Sequence, residues 1–284
     1  METRLYKIVP ALAAAAVIVG VALTSALGGA TGDSRARISP ASAAPREETK
    51  APAQAEHAPV NPPMPDQQAW SDAEIISALE ECVRLLAPTG AELEVSKPIR
   101  NGRCGTPAPV VLKRVAGVEL SPPAVVNCRV AAKLHRWIEE TVQTTAREIL
   151  GTTVHRIVTA SSYKCRQRVG SSTDRASEHS FANALDITAF VTADERSIDV
   201  LTNWGETARD RHAKATLGRL GEAQSVRDRE ASDRSSTQEA RFLRRMHEGA
   251  CGLFGTVLGP EANEAHRNHL HLDLARRRHS AFCE

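Results

Sequence analysis

The sequence predicts an α+β domain in which a small antiparallel sheet, carrying a cluster of polar residues, is flanked by helices. Two kinds of apolar spacing support this fold class. Apolar residues recur at helical spacing in 75–86 and again in 130–149. In 185–188 and 269–274 apolar and polar residues alternate instead, which is the period of a half-buried strand. Helices and strands are therefore expected within one folded region.

The first helix is predicted to begin near residue 71 and to end at Pro88. Ser71 and Glu74 have the spacing of a capping box, in which each side chain satisfies a free backbone N–H group at the helix start. Apolar residues follow at helical spacing up to residue 86. Pro88 ends the run because it lacks the N–H group that would continue the helix.

Residues 92–120 predict short strands and turns, because glycine and proline interrupt the apolar runs. The strand candidates in this stretch are 110–112 and 118–120. A second helix is predicted from about 123 to 150, and Gly151 suits its C-terminal cap.

Two long polar segments lie outside the predicted helices and strands: one forms a linker before the folded domain, and the other forms an insertion within it. Residues 33–69 mix proline, alanine, glutamine and charge without an apolar period, which is typical of a disordered linker. A strand is predicted at 154–160 and a final helix at about 238–253. Between them, residues 205–240 are almost all polar and predict a surface insertion, partly helical and partly disordered. The folded domain is expected to span 70–284.

The amino terminus predicts export. Arg4 and Lys7 precede an uncharged, alanine- and valine-rich stretch at 8–32. This stretch is either a signal peptide or a single membrane anchor. It is longer than a usual signal-peptide core and reaches the roughly 20 apolar residues that span a bilayer, which slightly favours an uncleaved anchor. In both cases the rest of the chain is expected outside the cytoplasm, in the periplasm or anchored to the inner membrane facing it.

Cysteine usage fits that compartment, because an even number of well-spread cysteines in an exported chain predicts disulfides. The sequence has no CxxC pair, so a zinc knuckle or a thioredoxin motif is not expected. Free buried thiols are the alternative for some of the six. We expect the pairs Cys82–Cys104, Cys128–Cys165 and Cys251–Cys283.

The net charge of the chain does not indicate a binding partner. The net charge is only +2, whereas a nucleic-acid-binding protein usually presents a clustered basic face. Three consecutive arginines at 276–278 are too few to set such an affinity and are interpreted as a solvated surface. No nucleic-acid partner is expected.

The chemistry-bearing residues lie on the two segments with strand-like alternation. In the second segment Leu270 and Leu272 alternate with His269 and His271, so the leucines are expected to face the core and the histidines the opposite, polar face. Asp186 alternates in the same way with apolar neighbours on the first segment. His179 precedes it by seven residues, on the turn that leads into that strand.

His179, Asp186 and His271 together form a ligand set suited to catalytic zinc. Structural zinc sites usually fill all four positions, often with thiolates, whereas three protein ligands leave one position for water. Zinc lowers the pKa of such a water towards about 7. His269 shares a strand face with His271 and is therefore predicted to accept the proton.

The pattern SxHxxxxAxD at 177–186, followed by HxH at 269–271, resembles that of the LAS zinc metallopeptidases, a group that includes D-alanyl-D-alanine peptidases, murein endopeptidases and the hedgehog signalling domain. The closer resemblance is to the extensin-like C-terminal domain of bacteria, over roughly residues 75–283. The stretches that carry this resemblance are 102–105, 163–166, 177–187, 250–251, 256–260, 269–273 and Cys283.

This resemblance implies a hedgehog- or DD-peptidase-like fold and assigns roles within the site. It implies zinc ligands at His179, Asp186 and His271 and a catalytic role for His269, with His266 as an accessory residue. Arg166 matches the arginine that polarises the scissile carbonyl in peptidase relatives. Ser177 matches a serine that contacts substrate.

Two positions depart from the peptidase pattern. Ala182 stands where those peptidases usually carry glycine. Asn268 stands where many relatives carry the acidic general base, and an amide cannot accept that proton. The expected function is zinc-dependent hydrolysis of amide bonds in peptidoglycan peptides, either as a carboxypeptidase or as an endopeptidase. The alternative that Asn268 favours is a zinc-containing module that binds the cell wall without catalysis.

Overall fold

The structure is a computed structural model that describes residues 69–168, 175–217, 237–277 and 280–284. The predicted export segment and nearly all of the predicted linker lie outside the described residues. Within those that are described, none of the helices has the length and apolar character needed to cross a membrane.

The centre of the domain is a mixed sheet. Its described strands follow the order β1-β4-β5-β6-β7-β10-β9-β11, with β8 paired to residues 189–191 of β7, beyond the residues that pair with β10, and β2 and β3 form a separate two-stranded sheet. The strand bounds are β1 Glu92–Val95, β2 Ile99–Asn101, β3 Cys104–Thr106, β4 Pro109–Val115, β5 Val118–Asn127, β6 Val154–Ser161, β7 Ala184–Thr192, β8 Ser197–Asp199, β9 Thr256–Leu258, β10 Leu270–Asp273 and β11 Phe282–Cys283.

The prediction of an α+β fold is confirmed, but the prediction of a small antiparallel sheet is wrong. Within the described residues the main sheet has nine strands, and the pairs β5–β6 and β9–β11 are parallel. The parallel pair β5–β6 arises because the second long helical segment connects these two strands and returns the chain in the same direction. Three of the strands contain only two or three residues, too few for a period of two to be recognised in the sequence.

Helices cover the sheet. The α-helical bounds are α1 Asp72–Leu86, α2 Cys128–Trp137, α3 Gln143–Thr145, α4 Val200–Asn203, α5 Ala208–Leu217 and α6 Gln238–Ala250. One π-helical segment, Ile138–Val142, joins α2 to α3, and a second, Ala146–Leu150, follows α3, so the helical structure continues to Leu150. The capping box of α1 is confirmed, since Ser71 and Glu74 bond each other's backbone N–H groups. Gly151 adopts the expected left-handed conformation, with φ 70°.

The start of the second helix was predicted five residues too early. Residues 123–127 belong to β5, where Asn127 pairs with Pro109 of β4. The Asn127 side chain then accepts a hydrogen bond from the backbone N–H of Val130 at 2.9 Å and caps α2. Apolar spacing alone did not distinguish the end of a buried strand from the first turn of the helix.

The core lies between the helices and one face of the sheet. Trp137 and Phe242 each make an edge contact with Phe190 of β7, at ring-centroid distances of 6.1 and 5.3 Å. The Trp137 indole N–H donates to the carbonyl of Met246 on α6 at 3.2 Å, so its polar atom is satisfied inside the core. This packing fixes β7, the strand that carries Asp186.

All six cysteines form disulfides, which confirms that prediction. The pairs are Cys82–Cys128, Cys104–Cys165 and Cys251–Cys283. The third expected pair is confirmed, but the first two are wrong. Pairing follows the packing of elements and not their order. α1 packs on α2, and β3 packs against the turn Glu178–Phe181, to which the loop of Cys165 is hydrogen-bonded through the Lys164 N–H and the His179 carbonyl.

The predicted insertion at 205–240 is described in part. Its first part contains α5, its residues 218–236 lie outside the described residues, and its end belongs to α6. The Thr237 side chain caps α6 by accepting from the N–H of Ala240. The final helix ends at Ala250, three residues before the predicted end.

Candidate metal centre

Strands β7 and β10 bring two of the proposed ligands face to face. They run antiparallel, and Asp186 lies directly opposite His271. The apolar neighbours Leu185, Leu270 and Leu272 are fully buried in the core. The alternation of residue types therefore places the carboxylate and the imidazole on the face opposite these apolar side chains, as predicted.

A tight turn brings the third proposed ligand to the same place. His179 lies in a single 3₁₀ turn, Glu178–Phe181, and the chain reverses into β7 through Ala182. Ala182 is fully buried and has φ 51°, in the left-handed region, where an alanine costs about 1–2 kcal/mol. This explains why glycine suits the position, and the bond from the Asn127 N–H to the Ala182 carbonyl at 2.7 Å holds the turn in place.

Three donor atoms converge at this point. His179 Nε2 lies 3.2 Å from Asp186 Oδ1 and 3.3 Å from His271 Nδ1, and the latter is 2.8 Å from the same carboxylate oxygen. All three residues are buried. Among the described residues this is the group of histidine, cysteine and carboxylate side chains with the spacing of a metal site.

The spacing fits zinc. Ligand atoms about 2.0–2.1 Å from a tetrahedral zinc ion lie roughly 3.3–3.4 Å from one another. Two of the three separations match this value, and the third would open by about half an ångström when an ion replaces the shared proton. Two imidazole nitrogens and one carboxylate oxygen are also a donor set that zinc accepts.

Two further groups orient the imidazoles, and both were missed as functional residues. The Ser162 carbonyl accepts from His179 Nδ1 at 2.6 Å, which leaves Nε2 free for a metal. Asp273 Oδ2 lies 3.0 Å from His271 Nε2, which leaves Nδ1 free in the same way. Such outer partners fix the ring tautomer and raise the basicity of the ligand. The HxHxD pattern carried a signal for Asp273, whereas a backbone carbonyl leaves no trace in the sequence.

The buried acidic and basic groups shift each other's pKa values. Burial would raise the pKa of Asp186, but hydrogen bonds with His179 and His271 outweigh it and hold this pKa below its usual value. Burial would likewise lower the pKa of His271, but its bonds to Asp186 and Asp273 raise it well above the ordinary value. A proton on His271 therefore offsets part of the negative charge of the two carboxylates, and a metal cation would take over that role.

His269 lies at the edge of the donor set. Its Nε2 is 3.7 Å from Asp186 Oδ1, and its Nδ1 is 2.9 Å from the side-chain oxygen of Asn268. Because an amide oxygen only accepts hydrogen bonds, the proton of a neutral His269 lies on Nδ1, and Nε2 carries a lone pair. Burial lowers the pKa of His269, which favours this neutral form. Asn268 itself is exposed and contacts His269 instead of the ligand atoms.

His266 lies beside His269 and lines the cleft next to the candidate metal centre. Its ring centroid lies 5.1 Å from that of His269 and 5.8 Å from that of His271. Burial, followed by the neighbouring His269 and His271, lowers the pKa of His266 to about 4. Its Nδ1 bonds the Asn263 side chain at 2.8 Å, which fixes the ring position.

The loop after β6 positions Arg166. The Ser180 hydroxyl accepts from the Arg166 N–H at 3.0 Å and donates to the Arg166 carbonyl at 2.8 Å. The Ser177 N–H also donates to the Arg166 carbonyl, and the Cys104–Cys165 disulfide anchors the preceding residue. The structure thereby brings Arg166 and Ser177 to the wall of the same cleft as the histidines.

The cleft has a volume of about 290 Å³, and Asp186 and His271 of the candidate metal centre line it, whereas His179 lies fully buried behind them. Besides the residues predicted from the sequence, the cleft is lined by four charged side chains that had not been assigned to the site: Arg168, Glu178, Asp273 and Arg277. Glu178 accepts a hydrogen bond from the Asn183 side chain at 2.6 Å, so it also braces the turn that carries His179.

Comparison with known proteins gives one result. The family model described as Extensin-like protein C-terminus matches residues 80–219 and 219–284. The matched region contains the whole candidate metal centre and all six cysteines. Neither the comparison with curated proteins nor the comparison with solved structures gives a match.

Proposed function

This chain belongs to the extensin-like protein C-terminus family, and from that premise we propose that it is a zinc-dependent peptidase of the cell envelope that hydrolyses amide bonds in peptidoglycan peptides. The observation that carries the proposal is the convergence of His179 Nε2, Asp186 Oδ1 and His271 Nδ1, with separations of 2.8–3.3 Å, at the wall of a cleft that a candidate base also lines. The motif resemblance to zinc peptidases points to the same chemistry.

His179, Asp186 and His271 would hold the zinc ion, with the Ser162 carbonyl and Asp273 orienting the two imidazoles. Bound there, zinc would supply a Lewis acid that polarises a carbonyl group and lowers the pKa of a water molecule. Three protein ligands leave room for substrate and water, and the cleft gives a peptide access to that position.

His269 is the proposed general base. Its Nε2 lone pair faces the ligand cluster, because Asn268 holds the ring proton on Nδ1. In hydrolysis, His269 accepts a proton from the attacking water while the water oxygen bonds to the carbonyl carbon. The C–N bond then breaks, and His269 returns the proton to the leaving amine. A positioned base typically contributes about 10²–10⁴-fold in rate.

Arg166 and Ser177 are proposed to bind the substrate. The Arg166 guanidinium lines the cleft near His266 and His269, where it can donate hydrogen bonds to the oxygen of a carbonyl under attack. Ser177 lines the same cleft and can bond the peptide backbone. His266, with a pKa of about 4, is neutral at pH 7 and can donate or accept a hydrogen bond without adding charge.

Incubation of the zinc-loaded, full-length chain with purified muropeptides tests the proposal. We expect new products with a free amine and a free carboxylate, separated by liquid chromatography and identified by mass. A chelator should abolish their formation, and added zinc should restore it. Intact muropeptides after prolonged incubation with protein of full zinc content would contradict the enzymatic proposal.

A second candidate function is cell-wall binding by a zinc-containing module that catalyses no reaction. Asn268 favours it, because the acidic base of many zinc peptidases is absent at this position. This module would retain zinc and sediment with purified sacculi while leaving muropeptides intact. Sedimentation with sacculi therefore separates the binding module from a domain without wall affinity.

We also propose that the chain acts outside the cytoplasm, in the periplasm or anchored to the inner membrane. The apolar stretch at 8–32 and three disulfides support this location. A fusion of residues 1–70 to a reporter that is active only after export should be active. Activity only from a reporter that works in the cytoplasm would contradict both the location and the export of the disulfide-bonded domain.

A further inference from the structure

We propose that Arg277 is the receptor for a free carboxylate of the bound peptide, so that the cleft selects peptides by their carboxy terminus. This inference rests on the proposed peptide-binding function and narrows its substrate class. Arg277 lines the same cleft as His271 and Arg166, yet neither the motif resemblance nor the proposed hydrolysis assigns it a role.

The position of Arg277 in the sheet is well defined. Its Nε donates to Thr256 Oγ1 at 3.1 Å, and a second guanidinium nitrogen also bonds this hydroxyl. Thr256 of β9 pairs with Asp273 of β10, two residues along the strand from His271. Since a strand rises by about 3.3–3.4 Å per residue, the anchor point of Arg277 lies roughly 7 Å from the metal ligand along the sheet.

Arg277 and Arg166 flank the metal centre from opposite sides. The strand order β6-β7-β10-β9 places the Arg166 loop, which follows β6, beyond β7 and places Arg277 beside β9. The candidate ligands Asp186 and His271 lie on the two strands between them. A peptide crossing the metal centre can therefore present its scissile carbonyl near Arg166 and its downstream end to Arg277.

The guanidinium of Arg277 retains donors for a ligand. A guanidinium has five N–H donors in one plane, and Thr256 accepts from two nitrogens only. Among the described residues no carboxylate forms an ion pair with Arg277. The Phe282 ring lies 5.6 Å from the guanidinium carbon and supports one face of the group. The side chain is thus held in place without its charge being neutralised by a described carboxylate.

A terminal carboxylate is the anion that matches this arrangement. Arginine binds carboxylates through two parallel N–H···O bonds. An extended peptide spans about 3.3–3.6 Å per residue, so roughly 7 Å corresponds to one or two residues beyond the scissile amide. We therefore assign the substrate class as peptides whose free carboxylate lies one or two residues downstream of the cleaved bond. A carboxypeptidase has this geometry, whereas an endopeptidase acting on cross-links far from a carboxy terminus does not.

Binding of paired peptides tests the assignment. The probes are stem pentapeptides that end in D-Ala-D-Ala, prepared as the free acid and as the C-terminal carboxamide, and calorimetry with the zinc-loaded, full-length chain measures the affinities. The wild type should bind the free acid roughly 10- to 100-fold more tightly than the amide, the range expected for charge-assisted hydrogen bonds. Arg277→Gln should lower the affinity for the acid to that for the amide and leave the amide unchanged.

The neighbouring Arg276 provides a matched control, because it is exposed and does not line the cleft. Arg276→Gln should bind both probes like the wild type. Arg277→Lys should restore part of the preference, since it keeps the charge but loses the planar fork. Zinc content and the thermal unfolding midpoint verify that Arg277→Gln is folded. An Arg277→Gln variant that still prefers the acid, or whose affinity falls equally for both probes, would overturn the assignment.

Failure of this inference and failure of the proposed hydrolysis give different results. If the wild type prefers the free acid, Arg277→Gln abolishes this preference and no product is released, the carboxylate-binding role of Arg277 is supported and the enzymatic function is contradicted. If the wild type cleaves both probes, and Arg277→Gln cleaves them at unchanged rates and binds them with unchanged affinities, hydrolysis stands and the receptor falls.

Discussion

Replacing any one of His179, Asp186 or His271 with alanine is expected to lower zinc affinity by more than about 100-fold. Even the outer partners of zinc ligands are typically worth 10–100-fold in metal affinity, and a ligand is worth more. Each substitution removes one of only three protein donor atoms, which lie 2.8–3.3 Å apart. The two donors that remain are too few to hold the ion with comparable affinity. Titration against a competing chelator of known affinity measures the loss.

Two comparison variants make this series specific. Asp273→Asn should have an intermediate effect of about 10–100-fold, because it weakens the orientation of His271 without removing a donor atom. His212→Ala should have none, since His212 is exposed on α5 and is not one of the residues that line the cleft. Retention of stoichiometric zinc in Asp186→Ala under the same competition would rule out the proposed ligand set.

The ligand set could be proposed from the sequence because its strands obey simple alternation. A side chain next to a core residue on a strand must face away from the core, so Asp186 and His271 were expected on one surface. Their direct opposition depends on the register between β7 and β10, which the sequence does not contain. His179 lies on the turn before β7, outside the strand alternation, so its place in the set rested on residue type and on the motif resemblance.

Other features required three-dimensional packing that no local pattern encodes. The pairing Cys82–Cys128 depends on the contact between α1 and α2. The left-handed conformation of Ala182 was hidden because alanine, unlike glycine, gives no signal for it. The arginine at position 277 was interpreted as part of a solvated run, whereas the structure places it on the cleft wall. A run of like charges does not reveal which member lines a cleft.

The role of Asn268 is the point at which the structure changes the functional argument most. From the sequence, Asn268 was an absent base that counted against catalysis. In the structure its side-chain oxygen accepts from His269 Nδ1 at 2.9 Å and thereby fixes the tautomer of the proposed base. Loss of an acid at position 268 therefore does not leave the centre without a proton acceptor, provided that His269 takes over this task.

His269→Ala is accordingly expected to reduce muropeptide cleavage by about 10²–10⁴-fold while zinc content stays near that of the wild type. The side chain lies 3.7 Å from Asp186 Oδ1, outside the three closely spaced donor atoms, so its removal spares the ligands. Single-turnover rates and zinc content are measured on the same sample. If His269→Ala loses zinc as completely as His271→Ala, the division of roles between the two histidines is wrong.

Substitution of Asn268 tests the proposed base, His269, through its other ring nitrogen, Nδ1. A carboxylate accepts the Nδ1 proton more strongly than an amide does, which raises the basicity of Nε2. Asn268→Asp is therefore expected to raise cleavage at least about tenfold with unchanged zinc content. It should also raise the pKa of His269. Because the base works only when it is deprotonated, the acidic limb of the pH–rate profile should move to higher pH.

The two possible functions separate at this substitution. If the domain only binds the cell wall, neither the wild type nor Asn268→Asp will cleave muropeptides, and both will retain zinc and sediment with sacculi. If the wild type cleaves well and Asn268→Asp changes neither the rate nor the pH profile, the amide at position 268 does not limit the base. His269 would then need no help from its neighbour, and the 2.9 Å contact between them would have only a structural role.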